Sequence, residues 1–262
     1  MTSSFTASHR GGSGRPLLCV HGFTDTWRTW ELVLPALERR HDVFAPTLPG
    51  HAGGPALGRA VGVSEAVDAI EGMLDEAGLS TVHVAGNSLG GFLALALAAR
   101  GRAESVVAFA PAGGWARDDP MFGREIVGHF TSMQELARAA APHIDSIVAT
   151  PEGRRRATEF ITTNYEHIPT ELIAHQVAGV AACEDVGPAL EVAVRDGWTL
   201  DAARIDCPVR ICWGTADRVL PWPAAAVRYR EEWVPQADYV LLDGIGHCPQ
   251  LDVPAEVAAL IG

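Results

Sequence analysis

The sequence predicts an α/β fold in which helices cover both faces of a mostly parallel sheet, with a helical segment inserted near the middle of the chain. Three observations predict it. Short apolar runs alternate with longer amphipathic stretches over residues 1–114, a pattern that implies right-handed crossovers between parallel strands. Helical patterns alone occupy residues 115–200, and the alternation resumes over residues 201–262. We therefore expect one core formed by residues 1–114 and 201–262, with residues 115–200 as a helical cap.

The predicted strands are short apolar runs bounded by polar residues, glycine or proline, as expected of strands buried on both faces. Six of them are legible: Pro16–His21, Asp42–Ala45, Thr81–Ala85, Ser105–Ala110, Pro208–Trp213 and Tyr239–Leu242.

Helices are predicted where apolar residues recur at three- and four-residue spacing. The predicted core contains five such segments. The first contains Trp27, Trp30, Leu34 and Leu37, the second is Ser64–Ala77 with Gly78 as its C-cap, and the others are Phe92–Ala99, Pro223–Trp233 and a last one near Pro254. Four more are expected in the inserted segment. There Thr131 and Gln134 fit a capping box, Pro151 and Pro169 mark helix starts, and Gly197 marks a helix end.

Composition excludes several classes of protein. All 20 basic residues are arginine, so a pyridoxal Schiff base and a Walker A lysine are both excluded. The net charge of -12 argues against nucleic acid or an anionic membrane as a partner. The five cysteines form no CxxC pair and suggest free thiols, and no apolar stretch near the N-terminus resembles a signal peptide. We therefore expect a cytoplasmic protein.

The strongest chemical signal is the segment Gly86-Asn-Ser88-Leu-Gly90, which joins a predicted strand to an Ala/Leu-rich helix. A G-x-S-x-G match alone is common, but a strand before it and a helix after it are the context that a nucleophilic serine requires. Glycines two residues before and after Ser88 relieve crowding at a strained turn. The alternative is a purely structural role, a glycine-rich turn in which Ser88 caps the helix.

A serine nucleophile needs a base and an acid that orients the base. Asp217 and His247 each follow a predicted strand, at the same sheet edge as Ser88, and the chain order Ser, Asp, His suits a catalytic triad. The oxyanion-hole donors are predicted to be the backbone N–H groups of Phe23 and Leu89. His21 is expected to brace the loop that carries Phe23 rather than to transfer protons.

These segments, with Leu48-Pro-Gly-His51, resemble the α/β-hydrolase superfamily, specifically its capped serine hydrolases. The resemblance covers nearly the whole chain and implies an eight-stranded sheet, although the segment before the first predicted strand is too short for the usual opening hairpin. Epoxide hydrolases and haloalkane dehalogenases of this fold carry aspartate at the nucleophile position, so Ser88 favours cleavage of an ester, lactone or thioester. Carbon–carbon bond hydrolases of vinylogous diketones are also similar, and Arg154, Arg155 and Arg156 are candidates for the cap arginine that they use.

The resulting hypothesis is a serine esterase, a carboxylesterase with a catalytic triad, acting on a small to medium apolar ester. We expect Trp115, Val219, Leu220 and Trp222 to line the substrate pocket, the alternative being that they pack in the core or cap. No cofactor is expected, and no metal, because no metal-ligand spacing is present. The chain is expected to be a monomer or homodimer. Two alternatives stay open: a carbon–carbon bond or enol-lactone hydrolase, and a small-molecule receptor that retains the triad.

Overall fold

A single sheet forms the centre of the molecule. The computed structural model describes residues 4–56, 62–117, 119–184 and 186–262. Within these residues the strands are Ser8–Gly12 (β1), Arg15–Val20 (β2), His41–Pro46 (β3), Val82–Asn87 (β4), Ala103–Phe109 (β5), Val209–Gly214 (β6) and Asp238–Leu242 (β7). They form a sheet in the order β1-β3-β2-β4-β5-β6-β7, in which every neighbouring pair is parallel except β1 and β3. The predicted α/β-hydrolase fold is confirmed.

The first strand was not predicted. β1 pairs antiparallel with β3, from Ser8 opposite Pro46 to Gly12 opposite Asp42, so an opening strand does precede β2. The turn from β1 to β2 is tight, since Gly12 has a φ of 80° and an added Cβ there would lie 2.3 Å from the His41 carbonyl oxygen. The sheet of the described residues has seven strands instead of the eight that the resemblance implied.

The helices of the core part differ from prediction in two places. The helices are Leu34–Leu37 (α1), Val63–Glu76 (α2), Leu89–Ala99 (α3), Pro249–Asp252 (α9) and Pro254–Ile261 (α10). The first predicted helix is divided into a 3₁₀ turn, Trp27–Trp30, and α1, because Pro35 has no N–H to continue a helical ladder. The stretch Pro223–Trp233 forms a 3₁₀ turn and a π turn, and the Arg228 N–H donates to the Gly114 carbonyl at 2.7 Å instead of within a helix.

The inserted helical segment runs between β5 and β6. Its helices are Pro120–Ala140 (α4), Ile144–Val148 (α5), Pro151–Thr158 (α6), Thr170–Ala182 (α7) and Val186–Asp196 (α8). As predicted, α6 begins at Pro151, α7 begins directly after Pro169, and α8 ends before Gly197. The capping box is wrong: Thr131 lies inside α4 and its hydroxyl donates back to the Val127 carbonyl, while Gln134 Nε2 donates to the Cys183 carbonyl at 2.7 Å and so holds the end of α7.

The core lies on both faces of the sheet. Alternate residues of β2 point to opposite sides, so that Leu18 and Val20 pack with α2 and α3, while Leu17 and Cys19 pack with α1 and α10. Because both faces are covered, the strands are apolar throughout rather than alternating. In the part of the chain that the structure describes, no helix combines the length and the apolar character needed to cross a bilayer.

Candidate active site

Ser88 lies on a strained turn between β4 and α3. Its φ of 56° and ψ of -117° fall in a backbone region that residues other than glycine rarely adopt, and this conformation costs on the order of 1–3 kcal/mol. The flanking glycines are required by close backbone contacts. A Cβ on Gly86 would lie 2.1 Å from the Gly90 carbonyl oxygen, and a Cβ on Gly90 would lie 2.2 Å from the Val20 carbonyl oxygen. The turn therefore presents Ser88 at the carboxyl edge of the sheet.

Asn87, next to the nucleophile, joins the turn to the loop that carries His247. Asn87 is buried, and its Nδ2 donates to the carbonyl of His247 at 2.9 Å and to that of Phe109 at 3.2 Å. Its Oδ1 accepts from Gln250 Nε2 at 3.1 Å and from the Cys248 thiol at 3.4 Å. The position of His247 relative to Ser88 is thus fixed by side chains that sequence analysis did not single out.

Asp217 and His247 form a hydrogen-bonded pair. His247 Nδ1 lies 2.8 Å from Asp217 Oδ2, and both residues are buried. The other carboxylate oxygen, Oδ1, accepts the backbone N–H groups of Val219 and Leu220, each at 2.8 Å. Because a carboxylate only accepts, the proton of the pair resides on Nδ1 and leaves Nε2 as an acceptor. His247 and Ser88 line the same cavity, although no hydrogen bond joins the two side chains in the described structure.

The loop after β2 covers Ser88. A Cβ on Gly22 would lie 3.3 Å from the Cβ of Ser88, so the backbone of this loop passes directly over the nucleophile. Among the described residues, the N–H groups of Phe23 and Leu89 donate to no protein acceptor, so both donors are available to an oxyanion.

His21 braces this loop, as predicted. Its Nδ1 lies 2.7 Å from the Gly22 carbonyl and its Nε2 accepts the Leu48 N–H at 2.9 Å. Burial holds the pKa of His21 well below its ordinary value, so the ring stays neutral.

Two cavities meet at Ser88. The smaller, of about 140 Å³, is walled almost entirely by apolar side chains, among them Leu48, Ala112, Trp115, Ile126, Leu190, Trp198 and Leu220. The larger, of about 960 Å³, lies between the sheet edge and the inserted helices and carries the polar side chains Asp25, His129, Arg155, Arg156, Glu159, Gln176 and His247. Ser88, Phe23, Phe130 and Val219 line both cavities, so the nucleophile stands at their junction.

Three of the four predicted pocket residues lie at these cavities. Trp115 and Leu220 line the small one, and Val219 lines both. Trp222 lies away from both: its ring packs against Trp213 and Tyr239, at centroid distances of 5.7 and 6.3 Å. Asp217 Oδ1 accepts the N–H groups of Val219 and Leu220 in the turn that precedes Trp222.

Two further sequence interpretations are settled by contacts. Arg155 and Arg156 line the large cavity, but both pair with Glu152, at 2.9 and 2.7 Å, and both are exposed. Cys248, next to His247, is buried, and burial raises the pKa of its thiol well above the ordinary value, which makes it a poor nucleophile.

Asp252 binds the His247 loop to the inserted segment. Its carboxylate accepts backbone N–H groups at 2.8 Å from each of three residues, Gly246, Thr163 and Asn164. The His167 ring adds a contact of 2.7 Å to the Leu251 carbonyl. The sequence placed Asp252 near His247 but contained no sign of the segment that packs against it.

Comparison with known proteins agrees with this fold. The family model of the alpha/beta hydrolase family matches residues 17–260, and the chain belongs to that family. It is 30% identical over 195 residues to the epoxide hydrolase EphH of Mycobacterium tuberculosis, covering 74% of this chain and 90% of that protein. It is 26% identical to 2-hydroxymuconate semialdehyde hydrolase of a Pseudomonas species, covering 98% and 89%. The enol-lactonase of Burkholderia xenovorans superposes with a TM-score of 0.71 at 18% identity, covering 97% of this chain and 94% of that one. These matches make the protein a hydrolase by family.

Proposed function

We propose that the protein is a serine hydrolase that cleaves a carboxylic ester through an acyl-enzyme on Ser88. The observation that carries the proposal is the combination of a strained Ser88 with a buried His247–Asp217 pair that shares its cavity. A hydroxyl is a weak nucleophile, and an imidazole that is held by Asp217 and lines the same cavity supplies the base that it needs.

The mechanism follows from these groups. Ser88 Oγ attacks the ester carbonyl carbon while His247 Nε2 takes the hydroxyl proton, and Asp217 stabilises the imidazolium that forms. The N–H groups of Phe23 and Leu89 bind the oxyanion of the tetrahedral intermediate. His247 then gives its proton to the departing alkoxide, which leaves as the alcohol. Water attacks the carbonyl carbon of the acyl-enzyme while His247 Nε2 takes its proton; the bond to Ser88 Oγ then breaks, His247 returns the proton to Oγ, and the acid is released.

The cavities set the size of the substrate. An apolar cavity of about 150 Å³ holds a benzene ring, so the small cavity of about 140 Å³ fits a phenyl ring or a short alkyl chain. The large cavity takes the other part of the ester. We propose that the inserted helical segment, residues 115–200, acts as the cap that closes over this part, since its residues form one side of the large cavity.

A second candidate is carbon–carbon bond cleavage, because one relative is named as a semialdehyde hydrolase. Substrates of that kind carry a carboxylate, which an arginine would bind. The arginines at the large cavity, Arg155 and Arg156, are already paired with Glu152, which favours the ester. Epoxide hydrolysis, the named activity of another relative, is less suited to a serine than to the aspartate found in epoxide hydrolases of this fold.

Hydrolysis of p-nitrophenyl esters from acetate to dodecanoate tests the proposal. We expect sustained turnover, fastest for short acyl chains, and a loss of at least about a thousandfold in Ser88→Ala. Ser146→Ala is the matched control, because the Ser146 hydroxyl is exposed and donates only to the His143 carbonyl, at 2.7 Å. Failure to cleave any chain length, or full activity in Ser88→Ala, would overturn the proposal. Meta-cleavage diketones assayed in parallel identify the second candidate.

A further inference from the structure

A carboxylate inside the large cavity has no part in the proposed mechanism. Asp25 follows Phe23 by two residues, and its N–H donates to the Gly22 carbonyl at 3.3 Å, closing a turn. Its Oδ1 accepts the Thr26 N–H at 2.8 Å, and the side chain lines the same cavity as Ser88. The loop that positions the predicted oxyanion donor thus also fixes a carboxylate beside the substrate space.

An amide of the inserted segment lies next to this carboxylate. Gln176, on α7, is 7% exposed and lines the large cavity; its hydrogen bonding to the Asp25 carboxylate makes a minor contribution that lowers the pKa of that carboxyl, and its Oε1 has no hydrogen-bond partner among the described residues. Helix α7 is held against the loop of Asp25 by the contact between His175 Nε2 and the Thr26 hydroxyl, at 3.0 Å. A buried amide oxygen without a donor is unfavourable, so a ligand that donates to it gains free energy.

The inner part of the large cavity is negatively charged. Burial raises the pKa of Asp25 to about 6, so the carboxylate is ionised at neutral pH, and no arginine among the described residues pairs with it. The other charged groups of this cavity are Arg155, Arg156 and Glu159, which form ion pairs at its exposed end with one another or with Glu152. The two histidines are His247 and His129, and burial lowers the pKa of His129, with a smaller contribution from His247.

We propose that Asp25 and Gln176 form a polar subsite that binds a protonated amine carried by the ester substrate. An ammonium N–H donates to the carboxylate of Asp25, and the positive charge of the same group lies against the unpartnered Oε1 of Gln176, which stabilises that oxygen electrostatically. The net charge of -12 draws cations toward the molecule and repels carboxylate-bearing substrates. The inference rests on the proposed ester hydrolysis, and it assigns the apolar group of the ester to the small cavity.

Matched esters that differ only at the amine test the subsite. One pair is 3-(dimethylamino)propyl butyrate with its neutral isostere 4-methylpentyl butyrate, and the reversed pair, butyl 4-(dimethylamino)butyrate with butyl 5-methylhexanoate, places the amine on the acyl side. We expect kcat/KM to favour the amine in at least one pair by roughly tenfold or more at pH 7.5. Asp25→Asn should remove this preference, which is measured as the ratio of kcat/KM for the two esters of a pair within the same variant, and circular dichroism shows whether the variant folds. The preference should fade as the pH falls below about 6.

Glu159→Gln is the control, since it removes another carboxylate from the same cavity and should leave the preference intact. Equal rates for amine and isostere in both pairs would overturn the subsite and leave the esterase proposal standing. Calorimetric measurement of the affinity of Ser88→Ala protein for the same pairs tests the subsite independently of the esterase proposal. Tighter binding of an amine ester, lost in the Ser88→Ala, Asp25→Asn protein, supports the subsite even if no ester is turned over, and equal binding overturns it.

Discussion

The carboxylate of Asp252 accepts the backbone N–H of Gly246 at 2.8 Å, one residue before His247, and holds Thr163 of the inserted segment through the same side chain. The loop of the predicted catalytic base is therefore fastened to the helices that form the opposite wall of the cavity. Asn87 holds the other side of this loop through the His247 carbonyl, at 2.9 Å. Asp252 therefore links the position of His247 to that of the inserted segment.

Asp252→Asn should lower both activity and stability. The new NH₂ group must face at least one of the N–H donors that the carboxylate accepts, which leaves buried donors unpaired. We expect the free energy of unfolding to fall by about 2 kcal/mol and kcat and kcat/KM to fall together, because the displaced base acts only in the transition state. Urea unfolding and steady-state kinetics measure these effects. Asp243→Asn is the control, because that exposed carboxylate accepts only the Thr215 hydroxyl in a turn, and its effect should stay within about 0.5 kcal/mol.

Asp217→Asn should abolish most of the activity without unfolding the protein. The amide oxygen will take the position of Oδ1, where it accepts the N–H groups of Val219 and Leu220, and this leaves the NH₂ group facing His247. His247 Nδ1 must then accept, its proton moves to Nε2, and the ring no longer accepts the proton of Ser88. We expect kcat to drop by roughly 10⁴-fold with an unchanged melting curve. A loss below tenfold would show that Asp217 does not orient the base.

Gly90→Ala should prevent the turn at Ser88 from forming. Its Cβ would lie 2.2 Å from the Val20 carbonyl oxygen, and both partners are backbone that cannot move independently. We expect a loss of more than about 3 kcal/mol in the free energy of unfolding. Gly72→Ala provides the contrast, because nothing lies within 4 Å of its Cβ position in α2, and helix propensity there predicts a gain of about 0.5–1 kcal/mol. Equal effects at both glycines would contradict the steric explanation.

Filling the small cavity should shorten the preferred acyl chain. Ala193, on α8, lines that cavity, and Ala193→Phe places a ring in the space that we assign to the apolar group. We expect kcat/KM for the hexanoate ester to fall roughly tenfold or more while the acetate ester is nearly unaffected. Val194→Phe is the matched control on the same helix, since Val194 is 49% exposed. An equal loss on both esters would indicate general damage rather than a filled acyl pocket.

Acidification from pH 6.5 toward 4 should destabilise the protein. Burial holds the pKa of His51 and of His175 at about 4 and that of His21 well below its ordinary value. In this window the unfolded chain binds protons that the native state does not, so stability is complete above pH 6.5 and falls with decreasing pH, by about 1.4 kcal/mol per pH unit for each such histidine. Asp25 has the opposite effect: because its pKa is raised to about 6, the native state binds one proton there before the unfolded chain does, which offsets the loss for one histidine. Urea unfolding at pH 7 and pH 5 measures the difference, and equal stabilities would contradict the account.

Local patterns were sufficient to predict most of the fold and the geometry around Ser88. The six predicted strands are short, nearly continuous apolar runs, and the Ser88 turn is dictated by glycines whose neighbours lie within a few residues or on the adjacent strand. β1 was missed because Ser8–Gly12 is half polar and contains two glycines, so that its strand conformation depends on pairing with β3. The positions of Asp217 and His247 followed from strand ends alone.

Features that depend on the inserted segment could not be predicted. Gln176 faces Asp25 from 151 residues further along the chain, and Asp252 binds Thr163 across 89 residues. Local spacing contains no information about contacts of this kind. Trp222 was assigned to the pocket because it follows Asp217 closely, but the backbone between them turns it toward Trp213. Thr131 shows the same limit, since a capping-box pattern within a continuous helix is satisfied by a bond back to Val127.

Covalent labelling by a fluorophosphonate tests the central claim, that Ser88 is an activated nucleophile, most directly. The protein is incubated with the probe at neutral pH, digested, and analysed by mass spectrometry. We expect a single phosphonylated site at Ser88, formed far more slowly in His247→Ala and absent in Ser88→Ala. Labelling at another residue, or an unreactive Ser88 in folded protein, would contradict it.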